Sequence, residues 1–173
     1  MTTPFSIIVA VDKDFGIGKG GLLPWDLPGE IKHFKDVTTA DYDGHQNAVI
    51  MGRKTWESIP SKFRPLPKRL NVVLTRQNTA VFASGVLSAA SLDEALHLVS
   101  IVPCGKVFVI GGAELFKKAI DHPLCHEIYL THIQSSFDCD CFFPPLPTGF
   151  REASRSELIS EKGSIYSFIL YKR

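Results

Sequence analysis

The sequence has no long hydrophobic run. Its longest apolar stretches, such as Ile7–Val11 and Val107–Ile110, have the length of strands, far short of the ~20 residues that cross a bilayer. It also lacks an excess of either charge. The formal net charge is +1 over 173 residues, so no global field draws the chain to nucleic acid or to an anionic membrane, and neither is expected as a partner. Cysteines are few, four in all, and poorly spaced for metal. Cys139 and Cys141 are separated by a single residue, closer than in a zinc knuckle, and no second pair follows, so no metal is expected. Reduced thiols are expected instead of a disulfide framework, because a chain of this size can bury an adequate core. The opening Met1-Thr2-Thr3-Pro4-Phe5 lacks the basic segment and small-residue cleavage site of a secretory leader, which makes the cytoplasm the expected location. Repeats, low-complexity tracts and linkers are absent as well, so the expectation is a single domain over residues 1–173.

What is present is an ordinary globular composition, 45% hydrophobic and 21% charged, with function to be sought in sites. Short apolar runs alternate with amphipathic stretches. Ser6–Val11, Ala48–Met51, Leu70–Leu74 and Lys106–Ile110 read as buried strands. Leu27–Lys35, Lys54–Ser58, Ser91–Ser100 and Ala113–Ile120 read as helices, the third opening on a capping box in which Ser91 caps and Glu94 reaches back. Such alternation predicts an α/β fold with a mostly parallel sheet and helices on both faces. Beyond Pro123 the pattern changes. Glu127–Ile133 and Ser164–Tyr171 read as strands joined through Pro144-Pro145-Leu146-Pro147, and the partial alternation of the last predicts an antiparallel strand near a sheet edge.

Chemistry first shows in the segment from Leu27 to Lys35. At helical spacing Leu27, Ile31 and Phe34 share a stripe, and Glu30 falls on it. A carboxylate on an apolar stripe is costly to desolvate and needs a partner or a ligand; it can read the amidine-like edge of a heterocycle through two parallel hydrogen bonds. From this segment alone Glu30 fits equally the role of a solvated first-turn acid favoured by the helix dipole.

Cations cluster just after strands. Ala48–Met51 and Gly52 lead into Arg53-Lys54-Thr55-Trp56, and Leu70–Leu74 leads into Thr75-Arg76. Ligands of open α/β sheets bind outside the carboxyl ends of strands, and two cationic clusters there suit a phosphate. The strand ending at Ile110 runs into Gly111-Gly112 and then a helix, where missing side chains let a ligand approach the backbone and the helix N-terminus attracts a pyrophosphate. Together these point to NADP(H), although arginine and lysine also cap loops and a glycine pair alone says little. No G-x-G-x-x-G occurs. Gly16-Ile17-Gly18-Lys19-Gly20-Gly21 is no phosphate loop, since Lys19 is not followed by Ser or Thr; its glycines suit a loop that closes over a site and excludes water.

In order along the chain, Ile8-Val9-Ala10-Val11, Gly16-Ile17-Gly18, Leu23-Pro24-Trp25, the Glu30…Phe34 helix, Met51-Gly52-Arg53-Lys54-Thr55-Trp56-Glu57-Ser58-Ile59-Pro60, Arg64-Pro65-Leu66-Pro67-Lys68-Arg69, Ile110-Gly111-Gly112 and Phe142-Phe143-Pro144 resemble dihydrofolate reductase. The resemblance runs from about Ile7 to the last strand. It implies an eight-stranded, mainly parallel sheet with four helices, and hydride transfer from NADPH to dihydrofolate. It also implies roles. Glu30 would hold N3 and the 2-amino group of the pterin, with Thr131 orienting it and Trp25 holding a nearby water. Ile31 and Phe34 would pack on the pterin and aminobenzoyl rings, with Ile8, Val9, Ile59, Leu66 and Ile110 lining the pocket. Arg69 would pair with the α-carboxylate of the glutamate tail. Ala10, Ile17, Gly18, Thr55, Thr75, Ile110 and the run Gly111, Gly112, Ala113, Glu114, Leu115 and Phe116 would line the cofactor path, and Arg53, Lys54 and Arg76 would meet the 2′-phosphate.

Three positions depart from common patterns of that family. Phe116 replaces a tyrosine near the nicotinamide, which implies altered cofactor contacts; Leu23 replaces the methionine of some bacterial members in the loop; Lys68 replaces a frequent glycine and is expected on the surface. His33 and His132 are expected near the site without a catalytic role. A protonated diaminopyrimidine antifolate would pair with Glu30. A monomer is expected, and the ending Tyr171-Lys172-Arg173 fits either a whole protein or one domain of a fusion to thymidylate synthase. The rivals are a related-fold reductase of another pterin or a ribityl-aminopyrimidine, which Arg69 and the Glu30…Phe34 helix argue against, and a binding protein without catalysis, which predicts loss of Glu30, Trp25 or Gly111-Gly112.

Overall fold

The computed structural model describes residues 3–77 and 82–173; Met1 and Thr2, the first of the residues read for a leader, lie outside them. The elements in chain order are β1 (Phe5–Val11), β2 (Gly16–Gly18), α1 (Pro28–Thr39), β3 (Asn47–Gly52), α2 (Arg53–Ser58), β4 (Arg69–Leu74), β5 (Leu87–Ala89) and α3 (Leu92–Ser100). The second half adds β6 (Val107–Gly111), α4 (Ala113–Ile120), β7 (Cys125–Ile133), β8 (Cys141–Phe142), β9 (Arg151–Arg155), β10 (Ile159–Glu161) and β11 (Ser164–Lys172).

The main sheet runs β10-β11-β7-β1-β6-β3-β4-β5. Every pair from β7 to β5 is parallel and β11 is antiparallel to β7, as the alternating pattern predicted. A ninth strand joins the expected eight because two short strands share the outer side of β11. β10 takes its first residues and β9 its last. β2 and β8 form a separate ribbon beside the carboxyl end of β1.

Alternation sorts the central strands between two packed faces. Ile7, Val9 and Val11 of β1, Ala48 and Ile50 of β3 and Val107 and Val109 of β6 meet α3 and α4. Leu92, Ala95, Leu96 and Val99 of α3 and Leu115, Phe116, Ala119 and Ile120 of α4 supply the other half of that layer. Ile8, Val49, Met51, Val73 and Phe108 point the opposite way, toward α1 and α2. Each such side chain removed from water contributes about 2 kcal/mol, which makes this two-sided burial the main force holding the sheet. α3 is capped as expected at Ser91, whose Oγ accepts the Glu94 N–H at 3.1 Å. The Glu94 carboxylate reaches one residue further than a capping box requires, to the Ala90 N–H at 2.8 Å.

Where β1 ends, the chain is pinned by a buried acid that the sequence pattern did not mark. The carboxylate of Asp12, 1% exposed, accepts the N–H groups of Asp14, Gly16 and Phe137 and the thiol of Cys139. It thereby joins the root of β2 to the segment leading into β8. Asp12→Ala leaves three main-chain donors without their acceptor and should lower the unfolding free energy by about 3 kcal/mol. Urea denaturation checks this, and a loss below ~1 kcal/mol would contradict the assignment.

Candidate active site

The parallel strands deliver their carboxyl ends to one edge of the sheet. Register places Gly52 beside Leu74 and Met51 beside Gly111, so the segments opening with Arg53, Thr75 and Gly112 leave the sheet side by side. Gly52 lies beside Gly111 and Gly112, which in turn pack against Thr55. A Cβ on Gly52 would stand 3.9 Å from the Gly111 oxygen, and one on Gly112 would stand 3.3 Å from the Thr55 hydroxyl. Gly111 has φ +127° and a Cβ there would meet the Phe116 ring at 3.4 Å. α4 begins directly after this pair, and no side chain caps its first N–H groups. The edge is therefore bare backbone flanked by cations, a surface that fits the phosphates of a dinucleotide. Around it, Lys54 and Arg76 are exposed, Thr75, Ile17, Gly18 and Ala113 are half-buried, and Glu114 pairs with Lys117 at 3.3 Å. Arg53 pairs with Glu57 on the next turn of α2 at 3.3 Å.

On the α1 face lies a second constellation. Ile8, Phe34, Ile59, Leu66 and Ile110, all named from the sequence, converge in one apolar cluster with Val37, Trp56 and Tyr129. Glu30 stands beside it, 7% exposed on the first turn of α1, and accepts a hydrogen bond from Thr131 on β7 at 3.4 Å. Burial pushes the Glu30 carboxyl up to about 7 against the smaller opposing effect of the Thr131 hydroxyl. Close by, Trp25 packs its ring edge on Phe137, and its Nε1 is buried with no partner among the described residues. Ala10 lies in the same neighbourhood, packed with Trp25 and Leu27.

Two turns along α1 the hydroxyl of Thr38 accepts from Arg69 at 2.9 Å, while Arg69 Nε donates to the Pro67 carbonyl at 2.9 Å. The guanidinium lies 6.0 Å from the centre of the Phe34 ring. Glu30, Phe34 and Thr38 recur at four-residue spacing and so share one stripe. At 1.5 Å per residue this sets the carboxyl and the Arg69 contact about 12 Å apart along the helix. Thr38 and Asn47, which caps the end of α1 by donating to the Thr38 and Ala40 carbonyls, were missed in the sequence. A polar residue on a helix carries no periodic signal until its partner is known.

Several expected positions are placed differently. Val9 points to the α3–α4 side because it alternates with Ile8 and Ala10, and Leu115 is buried there too, on the inner stripe of α4. Neither side chain reaches the edge where a ligand was expected. Ile31 is 54% exposed and Leu23 is 56% exposed. The inward line of α1 runs through Glu30, Phe34 and Thr38, so the stripe expected to bury Leu27, Ile31 and Phe34 together buries Leu27 fully, Phe34 in part and Ile31 hardly at all. Phe116 packs edge-on against Phe143, with centroids 5.2 Å apart. His33 stacks on Phe168 at 3.6 Å, and His132 lies near Phe15.

A family model described as dihydrofolate reductase matches residues 4–173. The chain belongs to the dihydrofolate reductase family. It is 47% identical over 150 residues to a dihydrofolate reductase of Pneumocystis carinii, covering 80% of this chain and 73% of that one. It is 39% identical over 180 residues to a dihydrofolate reductase of Aedes albopictus, covering 98% and 97%. A bifunctional dihydrofolate reductase-thymidylate synthase of Arabidopsis thaliana is 44% identical over 177 residues, 98% of this chain and 34% of that protein. The chain thus spans about a third of the length of the first curated relatives it matches. Membership of the dihydrofolate reductase family extends over both constellations.

The raised Glu30 carboxyl has a consequence for stability. Between its ordinary value near 4.5 and about 7 the folded chain keeps a proton that the unfolded chain has released, so stability falls as pH rises through that window and then levels off. Glu30→Gln removes the effect. Above pH ~7 the variant should be the more stable by about 3 kcal/mol, and below pH ~4.5 the difference should vanish. Urea unfolding across pH tests this; a wild type at least as stable as the variant at pH ~8 would contradict it.

Proposed function

We propose that this chain is an NADPH-dependent dihydrofolate reductase that converts dihydrofolate to tetrahydrofolate and so sustains one-carbon and thymidylate metabolism. The observation that carries this reading is the α1 stripe. A buried carboxyl at one end, an apolar wall along its length and a held guanidinium at the other complement a molecule with an amidine edge, flat rings and a carboxylate tail.

In this reading Glu30 takes N3–H and the 2-amino group of the pterin through two parallel hydrogen bonds, and Thr131 orients it. Ile8, Phe34, Ile59, Leu66 and Ile110 pack on the rings and exclude water, with Ile31 at the rim. Arg69 pairs with the α-carboxylate of the tail, already aimed by Thr38 and the Pro67 carbonyl. When bound, NADPH supplies a hydride to C6 of the dihydropterin. Gly52, Gly111, Gly112 and Thr55 would hold it at the sheet edge, with Arg53, Lys54 and Arg76 facing its 2′-phosphate. This task calls for two flat rings stacked at reacting distance in a dry pocket. Glu30 acts as anchor and electrostatic tuner, because it faces the ring edge remote from N5. The proton for N5 comes from water, for which Trp25 Nε1 is a buried donor with no partner among the described residues. Leu23 and the glycines of the β2 loop cover the rings and keep bulk water out.

The test is oxidation of NADPH by dihydrofolate, with and without methotrexate. Methotrexate-sensitive turnover supports the reading. Binding of both ligands without turnover would make the chain a binding protein, and neither would remove the substrate assignment. Glu30→Gln should lower turnover near neutral pH by ~10²-fold or more; unchanged turnover across pH would contradict its role. Replacing Arg53 and Arg76 together by Ala should raise the Michaelis constant for NADPH more than that for NADH, and equal effects would remove the 2′-phosphate contact.

A further inference from the structure

The first turn of α1 does not cap itself. Leu27 at the N-cap has no side-chain acceptor, and Pro28, which follows, has no N–H. The Gly29 N–H is taken instead by the carboxylate of Glu161, at 3.0 and 3.3 Å to its two oxygens, from the end of β10 and 132 residues away in sequence. The same carboxylate accepts the Tyr166 hydroxyl of β11 at 3.0 Å. The next residue, Lys162, pairs with Asp26 just ahead of the helix at 2.7 Å.

This grip is rigid for local reasons. β10 and β11 pair Glu161 with Ser164, leaving Lys162 and Gly163 as a two-residue turn with φ of 48° and 78°, the positive pair that a tight hairpin requires. Tyr166 is 1% exposed and packs with Trp25, Leu27 and Ile133, so its hydroxyl is fixed. Gly29 leaves no slack either. A Cβ there would stand 2.5 Å from the Tyr166 oxygen and 3.2 Å from the Glu161 carboxylate.

We propose that Glu161 is a positioning residue for the reaction, fixing where the Glu30 carboxyl stands and, by offsetting the positive end of α1, how readily that carboxyl ionises. The inference rests on the assignment of Glu30 as the pterin anchor. A negative charge at a helix N-terminus is favourable within the first turn, and Glu161 occupies that place one residue before Glu30. Its charge also opposes a second negative charge nearby, so both effects hold the Glu30 carboxyl toward its protonated form. The other titratable groups around this turn include Tyr166 on β11, Lys162 and Asp26 in their own ion pair, His33 and the Lys32–Asp36 pair (2.6 Å) on α1 itself, and His132 next to Thr131 on β7.

The test reads Glu30 directly, by carboxyl-carbon NMR of the full chain labelled at glutamate, with the resonance assigned through Glu30→Gln. Glu161→Gln keeps an acceptor for Gly29 and a partner for Tyr166 but removes the charge. It should leave the melting temperature within a few degrees of wild type and move the Glu30 midpoint down by about half a pH unit, with the pH profile of turnover moving alike. Glu161→Ala, which loses the geometry too, should lower the midpoint at least as far and the melting temperature as well. A Glu30 midpoint in Glu161→Gln equal to or above that of the wild type would overturn the proposal, since a purely structural tie would not move it. If the midpoint shifts but the wild type does not reduce dihydrofolate, the coupling stands and the substrate assignment fails.

Discussion

A single carboxyl group, withdrawn from water beside an apolar wall, sets the terms for everything around it. Glu30 is 7% exposed and receives one hydroxyl hydrogen bond, a long one, from Thr131. A carboxylate so poorly solvated either holds its proton or waits for a ligand that brings donors. That tension works only if the group cannot escape to solvent, so α1 must be held at both ends. Glu161, Lys162 and Tyr166 fasten its start, and Asn47 fastens its finish by bonding the Thr38 and Ala40 carbonyls. The same Thr38 then aims Arg69. The helix is thus a ruler with its two charged marks fixed by residues outside it.

The opposite requirement governs the sheet edge. There the useful property is absence of side chains: Gly52, Gly111 and Gly112 leave main chain at the edge, Gly111 at a positive φ that other residues rarely adopt and Gly112 where a Cβ would sit tightly, 3.3 Å from the Thr55 hydroxyl. Parallel strands bring these glycines together with no contribution from loops of their own. Phe116 shows how an edge can be tuned without being rebuilt, since its ring packs on Phe143 and needs no polar partner. Lys68 carries a cost of its own: a non-glycine residue at φ 61°, in a region disfavoured by about 1 kcal/mol, directly before the arginine that the turn must aim.

Much of this was legible in the amino-acid order, and the limits are physical. The central strands announce themselves because both faces of each are buried, but Ile8 and Val9 were both expected in the pocket, and strict alternation along β1 sends only Ile8 to that face and Val9 to the far layer. β9 is short, polar and exposed, and β10 is three residues long; both exist because β11 offers them an edge. β5, three residues long, depends on β4 in the same way. Glu30 could be singled out as an acid on an apolar stripe, but its burial could not, because Ile31 on the same stripe is exposed. Of the contacts across long separations, Thr131 on Glu30 came only through the family resemblance, and the others left no trace. Nothing in the segment around Gly29 foretells Glu161, and nothing around Asp12 foretells Phe137 and Cys139.

In the proposed function Glu30 and Arg69 grip the two ends of one dihydrofolate molecule whose ring lies toward the glycine edge. A crystal structure of the chain with folate and oxidised NADP tests it most directly. The expected result has the 2-amino and N3 edge of the pterin within hydrogen-bond distance of both Glu30 oxygens, the tail carboxylate on the Arg69 guanidinium, and the nicotinamide against Gly111 and Gly112. A pterin seated away from Glu30, or turned so that another edge meets it, would contradict the account.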